Sequence, residues 1–173
     1  MRNRGFLAVL AAIGFVGLLA FGLVAKDGDR PEVGDPVADL TIEPLRGSGD
    51  VALSSYRGGW VLLNLWASWC DPCRDEAPDL ERYSRAHREE ITVVGVNTDD
   101  LSTDALDFAD EFDITYDLLH DGEGKLKDAL GATGLPETIL VDPDGNLALR
   151  SIGPVDEAYL EENVTPLIDG EPS

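Results

Sequence analysis

The chain is poor in cysteine, histidine and positive charge. Only two cysteines and two histidines occur in 173 residues. Two cysteines cannot build a multi-disulfide scaffold. A four-ligand structural zinc site would need all four of these residues, and their spacing does not fit one. Lys and Arg total 13 against 34 Asp and Glu, a formal net charge of -21. That balance argues against DNA or RNA as a partner, because phosphate binding needs clustered positive charge. No internal repeat or low-complexity tract is visible. Hydrophobic residues nevertheless make up 43%, which argues against a wholly disordered chain. At about 150 residues per domain, the length fits one domain and an appendage.

The appendage is the N-terminus. Residues 6–25 contain only Phe, Leu, Ala, Val, Ile and Gly. As a helix, such a run spans roughly 30 Å, the thickness of a hydrocarbon core. Arg2 and Arg4 precede it, while Lys26, Asp27, Asp29, Arg30 and Glu32 follow. The positive flank places residues 1–5 in the cytoplasm, with 6–25 as a single transmembrane anchor and the remainder outside the cytoplasm. A cleaved signal peptide is the rival reading, but its apolar core is usually about 7–15 residues. Leu23 would also be bulky at position -3 of a cut after Ala25. Either route delivers the domain to an oxidising compartment. All the acidic residues then lie on the outer side, where they stand off anionic lipid. Residues 26–36 read as a linker, 37–169 as one domain and 170–173 as a polar tail.

Within the domain, residues 38–45 and 51–53 flank Gly47-Ser-Gly-Asp50 and predict a hairpin. Residues 60–66 form an apolar run broken only by Asn64, as in a central buried strand. Residues 71–90 predict a helix with Ala77, Leu80, Tyr83 and either Ala86 or His87 on one face. Residues 91–96 predict a second buried strand. A helix over 102–112 has Ser102 as its expected N-cap. A short helix over 125–130 ends at Gly131. Strands over 138–141 and 147–152 are joined by Asp142-Pro-Asp-Gly-Asn146, a turn sequence. A final helix covers 156–168. The order is hairpin, β-α-β-α-α-β-β-α. It implies an α/β domain with a central mixed sheet and helices on both faces.

The chemistry lies in Trp69-Cys70-Asp71-Pro72-Cys73, between a buried strand and a helix start. A C-x-x-C pair in this setting is a redox motif. Free amides and the positive dipole end at a helix N-terminus stabilise a thiolate. Cys70, at the exposed end, is the expected nucleophile. Cys73, one turn deeper, is the expected resolving thiol. Pro72 suits a first turn, where its missing N–H has no duty. A purely structural disulfide would not need this junction. Zinc lacks a second ligand pair, and haem attachment fails because Arg74, not His, follows Cys73. No cofactor beyond the Cys70–Cys73 disulfide is expected, and no metal. His87, among charged neighbours, reads as a surface residue, and His120 as a loop residue.

The segment Asn64-Leu-Trp-Ala-Ser-Trp-Cys-Asp-Pro-Cys-Arg-Asp-Glu-Ala-Pro78 resembles the active-site segment of thioredoxin-fold proteins. In detail it is similar to the TlpA/ResA/CcmG (DsbE) group of membrane-anchored thiol-disulfide oxidoreductases. Gly134-Leu-Pro-Glu-Thr-Ile-Leu-Val-Asp142 resembles that group's second signature. The similarity covers roughly residues 33–168 and implies a thioredoxin-like fold. By position, Pro136 matches the family's cis-proline, facing the cysteines. Leu135 then offers its backbone to an extended client, and Trp69 joins the client-facing surface. Pro78 matches a helix-kinking proline. Glu76 matches a glutamate that assists proton transfer to the cysteine pair, a role that a raised carboxyl pKa would suit. Ordinary thioredoxins use a strand aspartate at the place held here by Asn64, which cannot titrate. Asp71, Pro72 and Asn64 are thus expected to support the site.

The resemblance implies reduction of client disulfides outside the cytoplasm, including the C-x-x-C-H pair of apocytochrome c. A membrane thiol-disulfide transporter would be the electron donor. The acidic Asp71, Asp75, Glu76 and Asp79 disfavour a thiolate and point the same way. A disulfide-forming oxidase or isomerase is the alternative. A peroxidase of the peroxiredoxin kind is a further one, but residues 63–69 hold no proline and Trp69 adjoins the cysteine. A binding module with a structural disulfide is the non-enzymatic alternative.

Overall fold

A computed structural model describes residues 30–170. The proposed anchor, residues 6–25, lies outside the described residues, as do 171–173. Among the described residues no helix is long and apolar enough to cross a membrane.

Seven strands form one sheet: β1 (Thr41–Pro44), β2 (Val51–Ala52), β3 (Trp60–Trp66), β4 (Ile91–Thr98), β5 (Asp117–Asp121), β6 (Glu137–Val141) and β7 (Leu147–Ile152). Their order is β2-β1-β5-β4-β3-β6-β7. The central strands β5, β4 and β3 run parallel. Around them, β6 pairs antiparallel with β3, β7 with β6 and β1 with β5. The helices are α1 (Asp71–Ala86), α2 (Ser102–Glu111), α3 (Lys125–Ala129), α4 (Glu157–Asn163) and α5 (Thr165–Ile168). This is the expected mixed α/β sheet.

Alternation along β3 divides the core. Val61, Leu63 and Leu65 pack with Val94, Val96, Ile139 and the α3 side chain Leu126. Leu62 points the other way, onto Leu80 and Tyr83 of α1 and Leu160 of α4. Trp66, at the strand's end, joins Cys70, Cys73, Ala77 and Phe108. Burying each large aliphatic side chain contributes about 1.5–3 kcal/mol, so β3 anchors both layers and fixes where α1 begins.

Several expectations need correction. Strand β5 was not expected, since Asp117-Leu-Leu-His-Asp121 shows only two apolar letters. It nevertheless joins the N-terminal hairpin to the parallel core, with Glu43 opposite His120. His120 is therefore in a strand, not a loop. Helix α1 ends at Ala86, four residues short of Glu90, where the His87 amide closes the last turn on Tyr83 O. His87 is not a plain surface residue: it stacks on Tyr83 at 4.4 Å and contacts Glu161 at 2.8 Å. Ser102 is the first helical residue of α2 rather than its cap; Leu101 holds the cap position, with no side-chain bond. The last helix breaks at Val164 into α4 and α5. Pro166 follows, and its ring nitrogen cannot donate to a continuing helix.

The end of the linker and the first residue of the domain lie against the sheet. Gly34 N donates to Leu147 O at 2.8 Å, and Val37 N to Gly145 O at 2.9 Å. At the β6–β7 turn, Asp142 Oδ1 accepts from Asp144 N and Asn146 N, and Gly145 takes a φ of 93°. Glycine is favoured there because other residues resist a positive φ.

Candidate active site

Strand β3 delivers the chain to the site, and Ala67, Ser68 and Trp69 connect it to α1. Cys70 is the N-cap of α1 and is disulfide-bonded to Cys73. Its Sγ accepts from Cys73 N at 3.3 Å. Both sulfur residues are nearly sealed, Cys70 at 4% exposure and Cys73 at 1%. Asp71 and Pro72, between them, are exposed. Trp69 is 62% exposed, yet its Nε1 donates to Asp99 O at 3.0 Å, which fixes the indole.

The cis-proline expected at Pro136 is present: the Leu135–Pro136 peptide is cis. Pro136 O accepts from Gly153 N at 3.0 Å. Leu135 packs against the cluster that contains both cysteines. Sequence-distant Leu135 and Pro136 are thus brought to the cysteine pair.

Glu76 is buried at 2% exposure on α1, within a turn of Cys73. Its Oε1 accepts from Asn64 Nδ2 at 2.8 Å, and its Oε2 from Val155 N at 3.0 Å. Burial pushes its pKa up to about 7, although those two hydrogen bonds pull the other way. A carboxyl poised there can give or take a proton near neutral pH. Asn64 also donates to Thr138 Oγ1 at 3.1 Å, so one amide links β3, β6 and α1. The Tyr116 phenol is likewise pushed up, first by burial and then by the charges of Glu76 and Glu81.

Arg74 does not stand free beside the cysteines. It pairs with Glu111, and its guanidinium lies 5.5 Å from the Phe108 ring centre and 5.0 Å from that of Phe112. The pair and the rings both attract its charge.

Three residues near the site escaped sequence reasoning: Ser68, Asn97 and Asp100. Asp100 accepts from Ser68 N at 2.7 Å, Ser68 Oγ at 3.0 Å, Asn97 Nδ2 at 2.8 Å and Leu101 N at 2.8 Å. Partial burial raises its pKa, but these hydrogen bonds outweigh it and hold the carboxyl below the usual range. The available signal was position. Asp99 and Asp100 follow directly on a parallel strand, at the sheet end where α/β folds gather functional groups.

Among the described residues no group of three or more His, Cys, Asp or Glu could hold a metal ion.

Residues 33–150 match the AhpC/TSA family. The Escherichia coli K12 thiol:disulfide interchange protein DsbE is 35% identical over 168 residues, covering 94% of this chain and 88% of that protein. The thiol-disulfide oxidoreductase ResA of Oceanobacillus iheyensis is 31% identical over 153 residues, covering 84% of this chain and 80% of that protein. A crystal structure of a putative thiol:disulfide interchange protein DsbE from Chlorobium tepidum superposes with a TM-score of 0.74 at 28% identity. It covers 80% of this chain and 99% of the other. A Cys-x-x-Cys disulfide capping a helix, with Leu135 of a cis Leu–Pro peptide packed against it in a thioredoxin-like sheet, agrees with these matches. The chain belongs to the AhpC/TSA family and, within the thioredoxin-like superfamily, to the ResA/DsbE thiol-disulfide oxidoreductases.

Proposed function

We propose that this oxidoreductase works in the reducing direction, opening disulfides of client proteins outside the cytoplasm while tethered to the membrane by residues 6–25. The observation that carries the reading is the pairing of the Cys70–Cys73 disulfide with a buried Glu76 whose pKa lies at about 7. In the cycle, the Cys70 thiolate attacks one sulfur of a client disulfide and expels the other as a thiolate. Cys73 then attacks Cys70 Sγ, which releases the second client thiolate and forms the Cys70–Cys73 disulfide. Two electrons pass to the client. Glu76, as carboxylate, takes the proton that Cys73 must lose. A membrane thiol-disulfide transporter restores the dithiol, and no other cofactor takes part.

Trp69 and Leu135 flank the client, which lies extended against the Leu135 backbone beside Pro136. The apocytochrome c C-x-x-C-H pair is the leading client. The acidic surround supports the direction. Asp71 and Asp75 are exposed beside the cysteines, and Arg74, their counterweight, is already engaged with Glu111. A thiolate so placed is poorly stabilised, which favours a reducing couple.

Trapping tests the reading. Cys73→Ala in the full chain is expected to accumulate a mixed disulfide between Cys70 and its client, identifiable by mass spectrometry. Full function in Cys70→Ser would eliminate exchange chemistry at this site. A midpoint of about -120 mV, the strong-oxidant value, would overturn the direction.

A further inference from the structure

The cycle above assigns no task to Asp100, yet this carboxylate is the most heavily used acceptor near the cysteines. Four donors converge on it. Two belong to Ser68, which spends both its amide and its hydroxyl there. Ser68 stands two residues before Cys70, inside the short connection between β3 and α1. The next residue, Trp69, donates its indole N–H to Asp99 O. Three hydrogen bonds from Ser68 and Trp69 therefore land on Asp99 and Asp100.

The receiving side is itself anchored. Asn97 lies in β4 and is fully buried. Its Nδ2 donates to Asp100 Oδ2, while its Oδ1 meets His120 Nδ1 of β5 at 2.9 Å. Asp100 also accepts from Leu101 N, the residue that opens α2. One short side chain thus ties the pre-cysteine connection to β4 and to the start of α2. Aspartate suits the position: its single methylene lets the carboxylate reach a following backbone amide while both oxygens accept. An asparagine would put an amine where two N–H donors or a hydroxyl and an N–H now point.

We infer that Asp100 is a positioning residue for thiol-disulfide exchange with polypeptides. It holds Ser68, and through Ser68 the exposed Trp69 face and Cys70, in the arrangement a polypeptide disulfide must lie across. Asp100 touches neither sulfur in this account; it acts through Ser68. The inference rests on Cys70 as the attacking thiol.

The test compares two substrates on the reduced full chain, each measured at a pH where Cys70 is fully thiolate. One is insulin, whose disulfide must be docked. The other is a small aromatic disulfide, which needs only a reactive thiolate. Asp100→Asn, Asp100→Ala and Ser68→Ala are compared with the parent. In both Asp100 variants the insulin rate is expected to fall about tenfold or more, with the small-disulfide rate within about threefold, as follows from misplacing groups by less than an ångström. Ser68→Ala, which keeps the hydrogen bond from its backbone N–H to Asp100, falls between parent and variants. Asp100→Asn and Ser68→Ala keep the test alive should Asp100→Ala fail to fold.

An insulin rate near the parent's in Asp100→Asn overturns the inference. So does a parallel fall with both substrates, which would mark a general loss of structure or of thiolate. A faster rate with both would mark a purely electrostatic role and overturn it as well. The parent's own insulin rate, and its loss in Cys70→Ser, test the exchange reading separately from the clamp.

Discussion

Replacing Glu76 by Gln should change how stability depends on pH, with a sign opposite to that of most carboxylates. Burial raises the Glu76 pKa from an ordinary 4.5 to about 7. Below pH 4.5 the group is protonated in folded and unfolded chains alike, so nothing is lost. Between 4.5 and 7 the folded protein holds a proton that the unfolded chain has released. Stability therefore falls as pH rises through this window. Above 7 the loss is complete. At about 1.36 kcal/mol per pH unit it amounts to roughly 3 kcal/mol. Gln cannot titrate, so Glu76→Gln lacks this slope. It does carry a pH-independent offset of about 1–3 kcal/mol if its amine faces the Val155 N–H. The assay is urea unfolding of oxidised parent and variant from pH 4 to 9. Subtracting the two curves cancels the other titrating groups. The variant should gain about 3 kcal/mol on the parent between pH 4.5 and 7, after which the difference between them stays constant. Parallel curves across that window would refute the raised pKa and, with it, the neutral-pH proton role.

Two further substitutions probe the ground beneath the site. Gly95 lies opposite Asn64 on β4, and a Cβ there would sit 2.7 Å from Leu118 Cδ2 and 3.0 Å from both Trp66 Nε1 and Tyr116 Cε2. Gly95→Ala should cost about 1–3 kcal/mol of overpacking, read as a lowered urea midpoint; an unchanged midpoint would show that the rings give way freely. Arg150 pairs with the fully buried Glu137 and donates to Leu130 O at 3.0 Å. Arg150→Leu should cost about 3 kcal/mol by stripping a cation from a buried carboxylate. Adding Glu137→Gln should recover part of that loss, and a double variant weaker than the single one contradicts the account.

The parts of the fold that were legible are those where one short segment contains its own signal. Residues 60–66 read as a buried strand because nearly every letter is apolar. The cysteine motif read as a helix start because Pro72 and the spacing suffice locally. Strand β5 was illegible because its partners, not its letters, make it a strand: β4 on one side and β1 on the other. The end of α1 was hidden by Arg88, Glu89 and Glu90, which are good helix formers and carry no stop. Within the site, Glu76 was named from resemblance, but its burial could not be read from an acidic helix. That burial depends on Asn64, 12 residues earlier, and on the Val155 amide, 79 residues later. The Asp100 cluster was missed for the same reason, since its donors come from the β3–α1 connection, from β4 and from the start of α2.

The short loop after β7 ties two parts of the site to one piece of backbone. Gly153 N–H holds Pro136 O, and two residues on, Val155 N–H holds Glu76 Oε2. The cis-proline and the buried acid therefore hang from one three-residue strap. In the proposed cycle, a client pressing on Leu135 would load the strap at one end. At the other end, any lengthening of the Val155 contact weakens a bond that favours the ionised acid, so Glu76 holds its proton more tightly. On the proposed cycle, client docking at Leu135 and the proton affinity of Glu76 would thus share one short support.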